Sequence, residues 1–398
     1  MILVPCRASL LACALAALRL PVCAAGPQGQ TPSTDPVNNE LAQVIDLFYD
    51  IRPDAALAAA KEIEGRHPGH PAGPFYQSVV HYALSLFQDP VRPETLKAFD
   101  SDIKRCLEVA EATLKASPAL GHYYMGACHG FRARVRAHQD RLREALADGK
   151  KAMSHINAAV EVDPDSHDAY LGLGMYNYFV ARLPAAAKPF AYMLTGMWPN
   201  RERGLEQLQR AAEKGTIALV ESRTVLAAVY SSEWENRWEE ADAILAPLMG
   251  RYPRNPYFRL RRVYIAERLG RWEDALRLAD PDGTWMKALT PEVRAGTLAS
   301  VRYRAAEMLI LSGRPEEARR HLDFLRDAPC PSRLKAWIAV RAANLLQYDG
   351  RAKEASELYR SIKEGKAKKD AEKFLKEPYP KGPKTVAPLR WPLSEVPR

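Results

Sequence analysis

Histidine and cysteine residues are the first candidates for chemistry in this 398-residue sequence. His122, Cys128 and His129 fall on one predicted helix, and His67 and His70 flank a Pro-Gly loop. The helical pattern described below assigns large packing side chains to positions 122 and 129, so these histidines are explained without a metal. His67 and His70 lack a third nearby ligand, whereas zinc sites usually need three or four. We therefore predict no metal site.

The sequence contains none of the common enzyme active-site motifs: no G-x-S-x-G, no phosphate-binding loop and no H-E-x-x-H. The acid pairs Glu239-Glu240 and Glu316-Glu317 lie at predicted helix starts, where the helix dipole favours carboxylates. We predict a non-enzymatic protein without a cofactor. The Arg-rich stretches lack the interleaved aromatic residues that stack on bases, so we also expect no nucleic-acid partner.

The first 25 residues (1–25) have the layout of a secretory signal peptide. Arg7 precedes an apolar run at 8–18, and small residues permit cleavage after residue 24 or 25. We therefore expect export to the periplasm or cell envelope. Residues 10–13 resemble a lipoprotein cleavage box, but too little apolar sequence precedes them, so lipid attachment at Cys13 is the less favoured alternative. No later segment has about 18 uninterrupted apolar residues, which predicts no membrane span.

Cys106, Cys128 and Cys330 remain after the expected cleavage. Cys106 falls at a position that requires a small residue between packed helices, which favours a plain buried thiol. A Cys106–Cys128 disulfide between neighbouring helices is the alternative, because exported proteins can keep disulfides.

The formal net charge of +9 is concentrated near the C terminus, where residues 351–398 carry 13 Lys/Arg and 7 Asp/Glu. A basic tail could attract an anionic partner. Charge content bears more on solubility than on partner identity, however, so we favour a solvated terminus.

Two recurring spacings predict pairs of antiparallel helices. The first spacing is a small residue, an apolar residue four positions later and a proline eight positions after that. It occurs at Ala56-Ala60-Pro68, Cys106-Ala110-Pro118, Ala152-Ile156-Pro164 and Ala241-Leu245-Pro253. The small residue lets two helices approach closely, the apolar residue fills the core, and the proline ends the helix.

The second spacing is a hexapeptide that begins with Gly or Asn and ends with Ala. It occurs at 236–241, 270–275, 313–318 and 350–355. Its first residue supplies the left-handed conformation that commonly ends a helix, and acids in the next turn suit the following helix start. The hexapeptide therefore marks the turn inside each helix pair.

Together these spacings predict an all-α fold of about eight helix pairs. The pairs are expected to start near residues 41, 73, 119, 166, 217, 256, 291 and 332. Gly126 and Ala152 lie further apart than in a regular pair, which predicts longer irregular hairpins in the N-terminal half. The predicted organisation is a disordered spacer at 26–39, irregular repeats at 40–215, regular repeats at 216–375 and a Pro-rich basic tail at 376–398.

Tyr170, Leu173-Gly174 and Asn177 match the first-helix spacing W-x2-L-G-x2-Y. With the spacings above, the sequence resembles the tetratricopeptide repeat (TPR) superfamily over nearly the whole mature chain. Segments 168–178 and 201–208 look more narrowly like a bacterial envelope subgroup, itself similar to a eukaryotic outer-mitochondrial-membrane and inclusion-clearance repeat family. The resemblance implies a right-handed α-solenoid that binds a protein or peptide in its concave groove. It implies no catalytic residues.

The first helices of such arrays line the concave side, so the register suggests which side chains contact a partner. Tyrosines are favoured there because they often anchor protein recognition. The predicted contact residues are Tyr123, Asp168, Met175, Tyr178, Tyr303 and Glu307.

An apolar insertion at 183–199 separates the two helices of the fourth predicted pair, and Lys188 is its one charged residue. Its side chains could form a lid over the groove or touch a membrane surface, the candidates being Phe190, Tyr192, Met193 and Trp198. Packing as core is the simpler interpretation, because apolar runs in folded proteins are usually buried. A membrane-associated protein that binds lipid or small apolar ligands through 183–199 is the alternative to the scaffold.

Overall fold

A computed structural model describes Asp35 and residues 37–87, 92–328, 330, 332–363 and 365–380. These residues form α-helices joined by short connections, with no β-strand among them. The expected signal peptide, most of the expected spacer and tail residues 381–398 lie outside the described part. The chain divides into two compact units, unit 1 up to Tyr252 and unit 2 from Pro253, and each is described separately.

Unit 1 consists of antiparallel helix pairs with one inserted helix. The pairs are α1 with α2, α3 with α4, α5 with α6, α7 with α9, and α10 with α11, while α8 lies within the insertion. The bounds are α1 (Val37–Tyr49), α2 (Pro53–Arg66), α3 (Ala72–Phe87), α4 (Pro93–Thr113), α5 (Pro118–His138), α6 (Leu142–Val162), α7 (Ala169–Val180), α8 (Lys188–Thr195), α9 (Arg201–Lys214), α10 (Leu219–Tyr230) and α11 (Trp238–Arg251).

Unit 2 continues with pairs α12 with α13, α15 with α16, and α17 with α18, followed by α19. The short helix α14 lies between the first two pairs. The bounds are α12 (Pro256–Arg268), α13 (Trp272–Ala279), α14 (Thr284–Lys287), α15 (Pro291–Leu311), α16 (Pro315–Asp327), α17 (Ser332–Tyr348), α18 (Ala352–Ser361) and α19 (Gly365–Lys376).

The observed pairs confirm the predicted all-α repeat architecture. Their first helices begin at residues 37, 72, 118, 169, 219, 256, 291 and 332, each within four residues of the predicted start. Helices α5 and α6 each span 21 residues, which confirms the long hairpin predicted from the Gly126 to Ala152 spacing. The compact units divide at residue 252, whereas the sequence placed the change of repeat type at 215.

One turn recurs inside six of the described helix pairs. Its first residue has a positive φ, and the backbone N–H of its sixth residue, Ala, donates to the carbonyl of the second residue, Arg, as the first bond of the next helix. In five of the six turns this Arg donates its own backbone N–H to the carbonyl five residues back, whereas Arg237 donates to the Tyr230 carbonyl, seven residues back. The six first residues are Ile51, Asp140, Asn236, Gly270, Gly313 and Gly350. The bond to the carbonyl five residues back is the Schellman arrangement, which satisfies carbonyls at a helix end. The sequence patterns identified four copies and missed Ile51 and Asp140, because neither is Gly or Asn.

Close packing of α7 on α9 determines where the insertion must lie. A Cβ atom at Gly204 would overlap the backbone of Tyr178, and one at Gly174 would meet Leu208 at 2.8 Å. The glycines therefore allow the two helices to approach closely. Because this contact leaves no space between them, residues 181–200 must pass outside the pair, and α8 lies in that segment.

Candidate partner-binding surfaces

Hydrogen bonds join the first helix of unit 1 to its last helix pair. The Tyr49 phenol in α1 donates to Oε2 of Glu221 in α10 at 2.6 Å. Asp46 in α1 accepts from the Tyr252 phenol at 2.7 Å and from Arg251 at 2.9 Å, at the end of α11. The Tyr76 phenol in α3 donates to the Ile217 carbonyl at 3.2 Å. These bonds bring α1 and α3 against the fifth pair.

The side of unit 1 enclosed by α1 and α10 carries a group of tyrosines on the first helices of its pairs. We refer to it as the tyrosine cluster, comprising Tyr49, Tyr76, Tyr82 and Tyr123 together with Arg134 and Glu221. The Arg134 guanidinium lies 5.9 Å from the centre of the Tyr82 ring. Tyr76 and Tyr82 are buried, whereas Tyr49, Tyr123, Arg134 and Glu221 remain half-buried. Solvent therefore reaches part of the cluster.

Burial keeps the phenols of the cluster neutral. Burial, followed by the nearby Glu221 carboxylate, holds the pKa of Tyr49 well above its usual value. Burial raises the pKa of Tyr82 despite the opposing charge of Arg134, and burial with the Asp168 carboxylate raises the pKa of Tyr123. Neutral phenols both donate and accept hydrogen bonds. The cluster therefore offers hydrogen-bonding groups of both kinds beside one guanidinium and one carboxylate.

Tyr123, Asp168 and Met175 are the predicted contact residues that keep partial exposure in unit 1, and Asp168 is described below. Tyr123 belongs to the tyrosine cluster, and Met175 lies on α7. Partner contact by these two side chains stays a prediction. The sequence register missed Tyr49, Tyr76 and Tyr82, although the alternation of first and second helices placed all three on first helices and was a usable signal.

The side chain of Asp168 has a structural role that the sequence did not predict. Its Oδ1 accepts backbone N–H groups of Thr216 and Ala218, both at 2.8 Å. Burial raises the pKa of Asp168, and the backbone hydrogen bonds oppose that shift. The carboxylate thus ties the start of α7 to the connection between α9 and α10, and because Asp168 is half-buried its expected contact with a partner stays a prediction.

Tyr178 is buried and faces the interior of unit 1. Its phenol donates to Oε1 of Glu235, and Arg182 and Arg201 lie 3.2 and 3.0 Å from the same carboxylate. Burial, followed by the Glu235 hydrogen bond, raises the pKa of Tyr178. A fully buried side chain presents no surface, so the expected groove position of Tyr178 is corrected.

Tyr303 and Glu307 belong to a buried ion network in unit 2, formed by Glu267, Arg304, Glu307 and Arg341. Glu307 accepts from Arg304 at 2.7 Å, from Arg341 at 2.8 Å and from the Tyr303 phenol at 2.7 Å. Burial, then the Glu307 charge, raises the pKa of Tyr303. These side chains lie on α12, α15 and α17 and are buried. Their expected exposure to a partner is corrected, because they satisfy each other inside unit 2.

The start of the C-terminal tail packs against unit 2. The Tyr379 phenol donates to the Ile310 carbonyl at 3.1 Å, and its backbone N–H donates to Gln347 Oε1 at 2.8 Å. Tyr359 also donates to Gln347 and receives a hydrogen bond from Asn344, which in turn accepts from Arg341. The tail therefore extends the hydrogen bonds of the buried ion network to the C-terminal edge of the unit.

The insertion exposes three of its four predicted surface residues. The exposed fractions are 48% for Tyr192, 68% for Met193 and 56% for Trp198. Phe190 lies in α8, but its side chain is outside the described part of the structure. The interpretation of this segment as core is corrected for these three side chains, because α7 and α9 already fill the space between the helices.

Cys106 and Cys128 form a disulfide between α4 and α5, and both are buried. The sequence favoured a plain thiol at Cys106, and this interpretation is corrected. Cys106 on α4 faces Cys128 on α5, the first helix of the next pair, and the two Cα atoms are 6.9 Å apart. Cys330 is a half-buried free thiol.

The histidines have side-chain partners. His67 lies 3.0 Å from Glu40, His70 lies 3.0 Å from Asp35, and His129 lies 3.0 Å from Asp148. The Nδ1 atoms of His122 and His155 are 3.0 Å apart. Across the described ranges, no group of three or more His, Cys, Asp or Glu side chains is arranged to hold a metal ion. None of the helices in these ranges has the length and apolar character needed to cross a membrane.

Antiparallel helix pairs, a turn that recurs inside six of them and small residues where helices pack closely define an all-α helical-repeat protein. No protein-family model matches the chain, and no curated protein matches it. The chain is similar to a thermophilic TPR protein of Thermus thermophilus, with 20% identity over 57% of this chain and 97% of that one, at a TM-score of 0.34.

Two further solved structures show a likeness in fold. A chain from the structure of Naa15/Naa10 bound to HypK-THB has 14% identity over 81% of this chain and 74% of its own, with a TM-score of 0.31. The P58(IPK) TPR domain has 13% identity over 86% of this chain and 99% of its own, with a TM-score of 0.24. The repeat class stated above is based on the helix pairs of this chain.

Proposed function

We propose that this protein is a non-enzymatic scaffold that binds a protein or peptide segment at the tyrosine cluster of unit 1. The observation that carries the proposal is the convergence of α1, α3, α5 and α10 around half-buried Tyr49, Tyr123, Arg134 and Glu221. Tyrosine and arginine are the side chains that most often carry binding energy in protein recognition. The neutral phenols also suit the backbone N–H and carbonyl groups of a peptide.

We further propose that the scaffold works in the bacterial cell envelope after export. The layout of residues 1–25 supports export, as argued from the sequence. The Cys106–Cys128 disulfide supports it independently, because disulfides persist mainly in oxidising compartments.

Site-specific photo-crosslinking in cells tests the binding proposal. Benzoylphenylalanine replaces Tyr49 or Tyr123 in the cluster, and the matched control replaces Tyr348, an exposed tyrosine in unit 2. Adducts with one protein from both cluster positions, and not from position 348, are the expected result. Arg134→Gln in the same background should reduce the yield of these adducts.

The proposal fails if the cluster positions give no adduct, or if position 348 gives the same adducts with equal yield. Hydrogen exchange of α5 and α10 provides the folding control for each variant. Export is tested separately by the N-terminal sequence of the recovered protein, which should begin after residue 24 or 25.

A further inference from the structure

The exposed side chains of the insertion form a small apolar surface, here called the aromatic platform and defined as Tyr192, Met193 and Trp198. The ring centres of Tyr192 and Trp198 are 5.7 Å apart, so the two rings form one contiguous patch. Met193 is the most exposed of the three, at 68%. Single exposed apolar side chains are common, whereas a contiguous exposed group of them often marks an interaction site.

The platform is held in place from beneath. The Tyr176 phenol in α7 lies 2.6 Å from Thr195 Oγ1 and donates to the Met197 carbonyl at 2.8 Å. The Asn157 amide in α6 contacts the sulfur of Met197 at 2.7 Å. Gly196 ends α8 with a φ of 72°, a left-handed conformation that reverses the chain before Trp198. The insertion thus keeps Thr195 and Met197 half-buried against α6 and α7, while Tyr192, Met193 and Trp198 are exposed.

The charge around the platform favours an anionic surface. Residues 182–201 contain Arg182, Lys188 and Arg201 and no acidic residue. Arg182 and Arg201 pair with Glu235 inside unit 1, and Arg201 also pairs with exposed Glu202, the first acid after the insertion. Half-buried Lys188 has no ion pair with any described residue. No carboxylate of the insertion would have to leave water when the platform is covered, and desolvation of such a group would oppose binding.

We propose that the aromatic platform is a peripheral contact site for an anionic phospholipid surface. Trp and Tyr are enriched at the headgroup level of membranes because one end of each ring is apolar and the other polar. Met193 inserts beside them into the acyl boundary, and Lys188 lies near the lipid phosphates. A platform of three side chains gives weak and reversible binding, which suits a scaffold that must also reach a partner.

Tryptophan quenching by brominated phospholipids tests this contact in the full chain. The chain has seven tryptophans and none within residues 1–25, so a membrane-bound leader contributes no signal. The probes are phosphatidylcholine vesicles with and without phosphatidylglycerol, both with brominated acyl chains. Fluorescence should fall with the anionic vesicles and much less with the zwitterionic ones.

Three variants locate the contact. Trp198→Phe should remove most of the quenching while vesicle flotation stays nearly unchanged, because Phe keeps the apolar ring. Met193→Asp should abolish the quenching, because it places a carboxylate in the contact. Tyr348→Asp, at a tyrosine that is 49% exposed in unit 2, is the matched control and should change neither signal.

Equal quenching in the wild type and Trp198→Phe would overturn the proposal, as would the absence of any preference for anionic vesicles. A platform that serves a protein partner instead would give no quenching, and crosslinks from benzoylphenylalanine at position 192 would be lost with Met193→Asp. Hydrogen exchange of α9 shows whether each variant is folded. The result is independent of the tyrosine cluster, whose crosslinks should persist in all of these variants.

Discussion

The two units place a tyrosine and a carboxylate in the same arrangement but in different surroundings. In unit 1 the Tyr49 phenol donates to Glu221 at 2.6 Å, and both side chains are half-buried. In unit 2 the Tyr303 phenol donates to Glu307 at 2.7 Å, and both are buried. Arginines lie beside both pairs, yet only the first pair reaches solvent.

The difference shows that first-helix position does not determine exposure. In unit 2 consecutive first helices supply the opposite charges of one network, so Glu307 and Arg341 neutralise each other between α15 and α17. In unit 1 the corresponding bond spans from α1 to α10, and the intervening helices carry neutral phenols and the Arg134 guanidinium. Unit 2 therefore buries its polar first-helix residues in one network, whereas unit 1 leaves some of them accessible to solvent.

Removing the central carboxylate of unit 2 should have the largest effect. Glu307→Leu leaves Arg304 and Arg341 buried without their main partner, and breaking a buried pair in this way costs about 3–5 kcal/mol. The free energy of unfolding is measured in urea on the full chain, with hydrogen exchange of α15 and α17 to assign the loss to unit 2.

Glu273→Leu is the matched control. Glu273 also pairs with an arginine, Arg314, but the Glu273 side chain is 75% exposed. Exposed pairs contribute little, so the control should change stability by less than about 1 kcal/mol. Similar losses in the two variants would show that the buried ion network is not the stabilising feature that distinguishes unit 2.

Removing the Cys106–Cys128 disulfide should cause the next largest loss of stability. This change tests whether unit 1 depends on a covalent link where unit 2 depends on the buried ion network. Cys106 and Cys128 are separated by 22 residues, for which loop closure predicts a loss of about 3 kcal/mol when both are replaced by alanine. Urea unfolding with exchange of α4 and α5 measures it. Cys330→Ala is the control, and a reductant should destabilise the wild type but not the double variant.

Most of the helical architecture could be predicted from the sequence because its signals are local. Small residues at helix crossings and Gly or Asn at the Schellman turns act through their immediate neighbours, and they located every pair within four residues. Ile51 and Asp140 adopt the same turn without the usual residue type, so composition alone did not reveal them. The handedness of the array stays a prediction.

The contact residues were harder to predict because exposure depends on distant parts of the chain. Tyr303 is buried since Arg341, on the next pair, completes its network. Tyr49 joins the tyrosine cluster through Glu221, which is 172 residues away in the sequence. Met193 is exposed because the glycines of α7 and α9 close the gap that the insertion would otherwise fill. None of these relations produces a short-range spacing.

The contribution of Glu267 to the stability of unit 2 should be lost as the pH rises. An ordinary ion-paired carboxylate loses its contribution as the pH falls. Burial, with Arg304 opposing and Glu307 adding to it, raises the pKa of Glu267 to about 7, and its Oε1 has no hydrogen-bond partner among the described residues. An unfolded glutamate has a pKa of about 4.3, so the folded chain binds the extra proton between these values. The contribution to stability is full below the unfolded pKa and is lost as the pH rises through about 7.

Glu267→Gln keeps a neutral side chain at every pH, so comparison with the wild type isolates the pH-dependent contribution of the Glu267 carboxyl to stability. The stability of the wild type relative to this variant should fall by about 2 kcal/mol between about pH 5 and pH 8. Burial lowers the pKa of His321 to about 4, which produces the opposite slope, but both proteins contain His321 and the difference cancels it. A difference that is constant with pH, or that grows as the pH rises, would contradict the raised pKa.

The smallest effects come from the two tyrosines themselves, and they test the comparison most directly. Tyr49→Phe and Tyr303→Phe each remove one phenol that donates to a carboxylate and keep the ring, so packing is matched. Arg341 still donates to the same Glu307 oxygen in Tyr303→Phe, but water cannot replace the lost bond there, whereas it can at half-buried Glu221. We therefore expect a loss of about 2 kcal/mol for Tyr303→Phe and about 1 kcal/mol for Tyr49→Phe. Urea unfolding with exchange of α15 and α1 measures each loss. If Tyr49→Phe were the more destabilising variant, Glu221 would have to be shielded from water, and the tyrosine cluster would be structural in the same way as the buried ion network.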